Sequence, residues 1–409
     1  MRNRILFLAQ CLPFPPHSGV LNRTFHTLEE LQREFDVALV AFSRRNHQPD
    51  GTVRSSAVAA LREVASDVQA PVLIESEWSS RVKIANQLKS VVSGEPYVFY
   101  EYDNADFGTA VRAAMKKYPP DLIHLDSIDL YGWVSHLPAV PTACTHHNIE
   151  SELLRLPAKH VRFPGLARYI RYQATLLEKV ERRMSPRFAI NVMTSQRDEE
   201  HLKSLAPDAR TTVVPNGVDV DFFSMSSTDE IVPGRLAFLG PTYMFPNRDA
   251  VQFFLSDIFP RIRERCPGAT FHTVGKNPPE DKAEFESHAG TVCHGYLEDI
   301  RPVFGQAECS VVPIRVGGGT RLKILDAWSM GKAIVSTAIG CEGLATVDGE
   351  NILIRDDPNA FADAVVEVLR DKNLRDRLGR EARRTVERDY AWRNVGAHLN
   401  ATYKELIQA

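Results

Sequence analysis

Short apolar runs alternate with longer amphipathic stretches from one end of the chain to the other. In the first half the runs are residues 5–9, 37–42, 122–125 and 189–193; in the second they are 236–239, 271–274, 309–314 and 333–336. Runs of this length, bounded by glycine and proline, predict strands. Between them, residues 22–35, 168–183, 249–265 and 359–370 repeat apolar positions every three or four residues, the period of a helix with one buried stripe. Such alternation predicts parallel sheets covered by helices. There is too much of it for one sheet, so two doubly wound α/β domains are expected. Two places suit the junction: Met184-Ser185-Pro186, after a charged helical pattern, and the turn Pro215-Asn216-Gly217. The first is preferred, which divides the chain at 186/187.

A length of 409 residues agrees with more than one core. The composition, 44% hydrophobic and 25% charged with a formal net charge of −3, is that of a globular enzyme; a nucleic-acid binder would show a basic excess. Cys11, Cys144, Cys266, Cys293, Cys309 and Cys341 are scattered, with no Cys-x-x-Cys and no zinc spacing, and read as reduced thiols of a cytoplasmic protein. The apolar stretch 5–9 is too short for a secretion signal, and no segment approaches the roughly 18 apolar residues of a membrane span. Residues 370–393 mix nine basic with five acidic side chains, which suits a solvated helix face better than a polyanion patch.

The strongest local chemistry lies in residues 311–327. A buried-looking strand runs into Gly317-Gly318-Gly319, and a helix is expected to start near Thr320. Glycines let the backbone approach a ligand closely, and a helix N-terminus offers free N–H groups and the positive end of a dipole, so a phosphate fits there. Lys323 and Asp326, three apart, share a helix face. Lys323 would reach a diphosphate and Asp326 would accept from ribose hydroxyls. Arg321 lies about 200° round from Lys323 on a helix and joins them only from the loop. The plainer alternative is a tight strand–helix turn with surface charges. Neither Gly-x-Gly-x-x-Gly nor a P-loop is present, and Gly331-Lys332-Ala333 fails the latter at both ends.

Several segments, in order, resemble the retaining glycosyltransferases of family 4, which have the GT-B fold. They are Pro215-Asn216-Gly217-Val218-Asp219, Gly295-Tyr296-Leu297-Glu298-Asp299, residues 317–327, and Met330-Gly331-Lys332-Ala333-Ile334-Val335. In the first half, His17-Ser18-Gly19-Val20 resembles the glycine loop facing the donor phosphates, with Ser18 in place of a usual glycine. Thr145-His146-His147-Asn148 resembles the His-Asp/Asn pair that meets the transferred sugar; His147 aligns better than His146. A lone histidine at a strand end is otherwise structural.

The resemblance implies two Rossmann-like domains facing across a cleft, with a C-terminal helix crossing back to the first. The domains would be residues 1–186 plus 392–409, on the acceptor side, and 187–391, which binds the nucleotide sugar. It implies transfer from a nucleotide diphosphate sugar, as co-substrate and with no further cofactor, to a glycan or lipid-linked acceptor, as in polysaccharide biosynthesis. Donor contacts would fall on Gly19, Gly275, Lys276, Tyr296, Leu297, Gly317, Gly318, Gly319, Thr320, Leu322 and Asp326, with His147, Lys323 and Arg321 catalytic. Two features depart from the family. Its glutamates eight residues apart become Gly318 and Asp326, and its Arg and Lys in the first loop of the second domain fall near Pro241 and Pro246. A family branch carries a similar Gly-Gly-Thr-Arg-Leu-Lys, so Arg321 and Lys323 are inferred to supply the missing positive charge, since a departing diphosphate gains negative charge that fixed donors must meet. Asp219-x-Asp221 is the pattern with which GT-A enzymes hold a metal, but it follows Pro-Asn-Gly and precedes Phe222-Phe223, as in metal-free GT-B sequences, and no metal is expected. Retention is implied by resemblance only; the residues show no nucleophile and leave Glu150 and Asp126 open to the role. Other readings of the same fold are a regulatory partner that no longer transfers and a sugar-nucleotide epimerase. Arg162, Arg168, Arg171, Lys179, Arg182, Arg183 and Arg187 would permit peripheral docking on an anionic membrane at its cytoplasmic face.

Overall fold

A computed structural model describes residues 2–16, 18–155, 161, 163–224, 230–317 and 321–409. The chain forms two compact units, Met1–Pro215 with Val395–Ala409, and Asn216–Asn394. The junction therefore falls at the Pro-Asn-Gly turn and not at 186/187 as expected. The reason is pairing: after residue 187 the chain adds two more strands to the first sheet before it leaves. The return falls inside the helix Trp392–Gln408, at Asn394/Val395, and not at 391/392.

Among the described residues the first sheet has eight parallel strands: β1 (Arg4–Ala9), β2 (Asp36–Ser43), β3 (Asp67–Val68), β4 (Val72–Leu73), β5 (Leu122–Leu125), β6 (Thr142–His146), β7 (Ile190–Met193) and β8 (Thr211–Val213). Their order is β3-β2-β1-β5-β6-β7-β8, with β4 also on β2. The second sheet has six: β9 (Arg235–Leu239), β10 (Thr270–Val274), β11 (Thr291–Cys293), β12 (Cys309–Val312), β13 (Ala333–Ser336) and β14 (Leu353–Ile354), in the order β11-β10-β9-β12-β13-β14. All pairings within the two sheets are parallel. The apolar runs supply the central strands because a parallel sheet is buried on both faces. Phe7, Leu8, Leu39, Phe238, Phe271 and Val311 are buried accordingly.

Expected helices appear as Gly19–Gln32, Pro164–Met184 and Pro358–Arg370. The single helix predicted over 249–265 is instead Phe245–Phe253, a wider turn at Phe254–Ile258, and Phe259–Arg265. Pro260 has no N–H to continue the ladder, and the backbone widens where that bond would fall. The run 309–314 ends as a strand at Val312 because Pro313 follows.

Candidate active site

In the second sheet β9 neighbours β12 although β10 and β11 intervene in sequence. The strand order reverses at this junction, and ligands of doubly wound sheets bind beyond the carboxyl ends of strands at such a point. β9 leads there into Gly240-Pro241, and β12 leads into Arg315-Val316-Gly317. Gly317 has φ 119°, and a Cβ on it would lie 3.2 Å from Pro246 Cγ, so Gly317 packs against the helix Phe245–Phe253. Gly275, at the end of β10, has φ 143°, and a Cβ there would lie 2.5 Å from the Gly240 carbonyl carbon. Gly318, Gly319 and Thr320 lie outside the described residues.

The helix expected to meet the donor is Leu322–Ser329, two residues later than expected, so Arg321 sits before its first turn with φ −84° and ψ 66°. The Arg321 side chain is buried. Its Nε donates to Ile339 O at 3.2 Å, and its Nη2 to Gly317 O and Ile339 O, both at 3.0 Å. Arg321 thus ties the Gly317 carbonyl to the Ile339 carbonyl. Lys323 points elsewhere: Nζ donates to Asn247 Oδ1 at 2.7 Å and stands 4.4 Å from the centre of the Phe238 ring. Asn247 is oriented in turn by a 3.0 Å bond from Nδ2 to Pro241 O. The ammonium therefore arrives beside Pro246 and Pro241, where the expected basic residues are missing.

Burial, with Arg321 adding repulsion, brings the Lys323 ammonium down to about 7. Burial alone pushes the Asp326 carboxyl up to about 7. Both side chains keep some solvent contact, so crowding by protein atoms produces these shifts, not complete enclosure. The Asp326 carboxylate has no hydrogen bond to a described residue and is open to a hydroxyl partner. Leu322 packs on the apolar core. Tyr296 is 65% exposed, Lys276 is exposed, and Gly275 N donates to Gly295 O at 2.8 Å, which ties the two segments together. Asp219 spends its carboxylate on its own turn: Oδ1 accepts from the amides of Asp221 at 3.1 Å and Phe222 at 2.9 Å.

In the first sheet the order reverses between β1 and β5. Gly19 opens the helix Gly19–Gln32 and is exposed there. Asp126 follows β5, is 1% exposed, and accepts from Thr24 Oγ1 at 2.6 Å. His147 follows β6 and puts Nε2 3.5 Å from Asp126 Oδ2, near enough for charge to act and at the limit of a hydrogen bond. Burial would raise Asp126, but His147 and His124 beside it outweigh this and hold the carboxylate well below the usual range. His124 is fixed by Tyr403, whose hydroxyl lies 2.6 Å from Nδ1. His146, the neighbour on the strand, binds Asn191 Oδ1 through Nε2 at 2.9 Å, and burial lowers it to about 4. It is part of the packing.

Asp126, with its oxygens facing Thr24, His124 and His147, stands as a support for His147. Glu150 is pushed well above the carboxylate range by burial, with Asp129 and Glu181 adding repulsion, which favours its neutral form. Asn247 and Thr24 were not marked by the sequence. Asn247 acts across 76 positions of chain and Thr24 across 102, so no local pattern could announce them.

A family profile described as "Glycosyltransferase Family 4" matches residues 17–222, and one described as "Glycosyl transferases group 1" matches residues 233–371. D-inositol 3-phosphate glycosyltransferase of Corynebacterium glutamicum (strain R) is 25% identical over 247 residues, 54% of this chain and 57% of that protein. An uncharacterized 44.6 kDa protein in the cps region of Klebsiella pneumoniae is 25% identical over 141 residues, covering 32% of this chain and 36% of the other. The matches thus span about half and about a third of these relatives' length. Among solved structures, Anabaena HepE in complex with UDP superposes with a TM-score of 0.69 over 98% of this chain and 100% of its own, at 13% identity. Sucrose-phosphate synthase of Thermosynechococcus elongatus gives 0.67 over 100% of both chains at 17% identity. At such identities the likeness establishes the fold.

Proposed function

Because the chain belongs to glycosyltransferase family 4 and has the GT-B fold, we propose that it transfers a sugar from a nucleotide diphosphate sugar to a glycan or lipid-linked acceptor, with retention and without a metal. The observation that carries this reading is Lys323, whose ammonium is held by Asn247 beyond the carboxyl ends of β9 and β12. There it meets the diphosphate as the glycosidic bond breaks and charge accumulates on the leaving oxygen. Asp326 accepts from the ribose hydroxyls, Tyr296 and Leu297 lie beside the base, and Gly275, Lys276 and Gly317 bring backbone close to the donor. Arg321 acts by shaping the loop. In the first unit Gly19 faces phosphate, and His147, steadied by Asp126, meets the transferred sugar.

The upward shift that burial imposes on Glu150 and the enclosure of Asp126 support a front-face displacement that needs no protein nucleophile. In it the bond from the anomeric carbon to the diphosphate breaks, the acceptor oxygen bonds on the same face, and the acceptor proton passes to the departing phosphate oxygen. A donor of this kind parallels the UDP and UDP-glucose held by HepE. The turn-capping role of Asp219 supports a metal-free reaction.

The test is twofold. A thermal-shift screen of nucleotide diphosphates identifies the base, since saturating ligand stabilises by about 2.7 kcal/mol at 100 times its dissociation constant. Release of free nucleotide, measured with excess chelator present, then follows addition of acceptor. Lys323→Ala lowers kcat by about 10²–10³ with a much smaller rise in KM. Normal turnover in that variant means that backbone amides alone hold the phosphates, and a requirement for manganese overturns the metal-free reaction.

A further inference from the structure

The loop after β9 carries three consecutive exposed apolar side chains: Tyr243 is 65%, Met244 50% and Phe245 56% exposed. No residue from Leu236 to Asn247 is charged. The backbone beneath these side chains is well tied. Gly240 N donates to Val274 O at 2.8 Å and Thr242 N to Lys276 O at 3.2 Å, which fix the start of the loop to the end of β10 and the segment after it. Met244 N donates to Pro241 O at 3.3 Å, and Asn247 N and Arg248 N donate to Met244 O at 3.0 and 3.1 Å, which close the turn into the helix Phe245–Phe253. Thr242, 1% exposed, adds a bond from Oγ1 to Asn277 Oδ1 at 3.2 Å.

The same loop belongs to the candidate site. Asn247 Nδ2 donates to Pro241 O at 3.0 Å while its Oδ1 accepts from Lys323 Nζ at 2.7 Å, so one side chain sets both the loop and the ammonium. Pro246, next to Phe245, lies against Gly317. Tyr243, Met244 and Phe245 thus fall between Pro241 and Pro246, near which the family resemblance places basic residues. A contiguous apolar patch on the rim of a polar site marks a ligand contact. Tyrosine suits one, because two torsions fix a large flat face whose hydroxyl end stays in water.

We propose that this loop is an acceptor subsite, in which a neutral sugar ring of the acceptor stacks on Tyr243, with Met244 and Phe245 widening the platform. The inference rests on the transfer reading, which gives base, ribose, phosphates and transferred sugar to other residues and leaves the acceptor without a contact in the second unit. A pyranose matches the patch, since it offers an apolar C–H face to the ring and keeps its hydroxyls at the wet rim. The uncharged stretch 236–247 favours a neutral sugar: a phosphorylated one would find no cation in the loop to make a charge-assisted bond. A lipid chain fits less well, because three residues bounded by prolines span about 10 Å, the width of a ring and its substituents and not the length of an acyl chain.

The test uses the full chain, the nucleotide sugar that the thermal-shift screen selects, and methyl glycosides of glucose, galactose and mannose, with glucose 6-phosphate as the charged comparison. Tyr243→Trp reads binding directly. Its added emission is expected to shift on titration with a methyl glycoside, and glucose 6-phosphate is expected to bind more weakly. In nucleotide release, Tyr243→Ala raises the acceptor KM by about tenfold with kcat within about twofold, while Tyr243→Phe and Tyr243→Trp stay near the native value. Nucleotide diphosphate affinity and melting temperature are unchanged, because the side chain is exposed and is not a donor contact. The proposal is overturned if no methyl glycoside shifts the emission, if Tyr243→Ala keeps the native KM, if nucleotide affinity falls as far as acceptor affinity, or if glucose 6-phosphate binds the tighter. A dimer in sedimentation velocity that Tyr243→Ala dissociates overturns it also, since a second copy then covers the patch. A chain that transfers normally after Tyr243→Ala loses this subsite and keeps the transfer reading. One whose Tyr243→Trp emission responds to glycosides but which releases no nucleotide keeps a sugar-binding loop and loses that reading.

Discussion

An ammonium brought down to about 7 is half protonated at neutral pH, and Lys323 is brought there by burial and by the nearby Arg321, against the bond to Asn247 and the Phe238 ring, which favour the charged form. Its folded value lies below the usual 10.5, so between about 7 and 10.5 the unfolded chain holds a proton that the folded chain lacks, and stability rises with pH across that window. Asp326 is the reverse case. Its folded value is raised from 3.8 to about 7, the folded chain holds the extra proton between them, and stability falls as pH rises there. The two half-buried groups therefore weaken the fold most near pH 7, and on the proposed reading both are relieved when a donor binds. A bound diphosphate restores the charge on Lys323, so binding of a nucleotide diphosphate sugar near pH 8 takes up a proton and weakens as pH rises above 7. Calorimetry in buffers of different ionisation enthalpy measures that uptake. Lys323→Arg, whose guanidinium does not titrate in this range, abolishes it. Proton uptake that persists in the arginine variant assigns it to another group. Lys323 and Asp326 were legible because their spacing sets a shared helix face, whereas Asn247 was not, since its role depends on a contact that only the fold creates.

Strands and helices were legible wherever burial is two-sided or the period is clean, and lost where polar residues are buried. β6 reads Thr-Ala-Cys-Thr-His and shows no apolar run, yet Thr145 and His146 are buried because side-chain partners satisfy them. Glycine conformation is a second feature that a hydrophobic pattern does not carry. Gly275 joins β10 to the segment before Tyr296 with φ 143°, which side chains rarely adopt, and a Cβ there would come within 2.5 Å of backbone at Gly240. Backbone of the neighbouring strand end cannot swing aside as a flexible side chain would. Gly275→Ala is thus expected to destabilise the second unit by about 2–4 kcal/mol, from strain and overlap together. Urea unfolding followed by hydrogen exchange in residues 216–394 measures it. A variant of native stability would mean that the loop after β9 shifts freely, and the backbone setting of Lys323 would then be looser than described.

At the scale of the whole molecule, the chain leaves the first unit at Pro215 and comes back at Val395, so fifteen C-terminal residues complete a core begun at residue 4. The expected return of the last helix to the first unit was legible from resemblance to the family; the exit point was misplaced because the short strands β7 and β8 have no signature that assigns them to one sheet or another. What the returning segment does is specific. Val395, Leu399 and Tyr403 are buried, Asn400 Nδ2 donates to Glu30 O at 2.9 Å, and the Tyr403 hydroxyl meets His124 Nδ1. A Cβ on Gly396 would lie 2.4 Å from Glu30 Cβ, so the helix seats closely on Gly19–Gln32. Two perturbations separate these contributions. Tyr403→Phe keeps the ring and leaves His124 without that partner, a loss of about 1–3 kcal/mol that the unit survives. Ending the chain at Asn394 removes three buried apolar side chains, each worth about 1.5–3 kcal/mol, and this sum approaches the 5–15 kcal/mol that holds a typical domain together. The truncated chain is expected to lose amide protection throughout β1, β5 and β6 while residues 216–394 keep theirs, since the core of the second unit draws all its buried apolar residues from Val218 to Tyr390. Because His124 flanks Asp126, which supports His147, Tyr403→Phe also tests whether that support matters to the reaction: kcat should fall more than nucleotide affinity. Equal protection in both units after truncation would show that the last fifteen residues are an accessory to the first core and not a part of it.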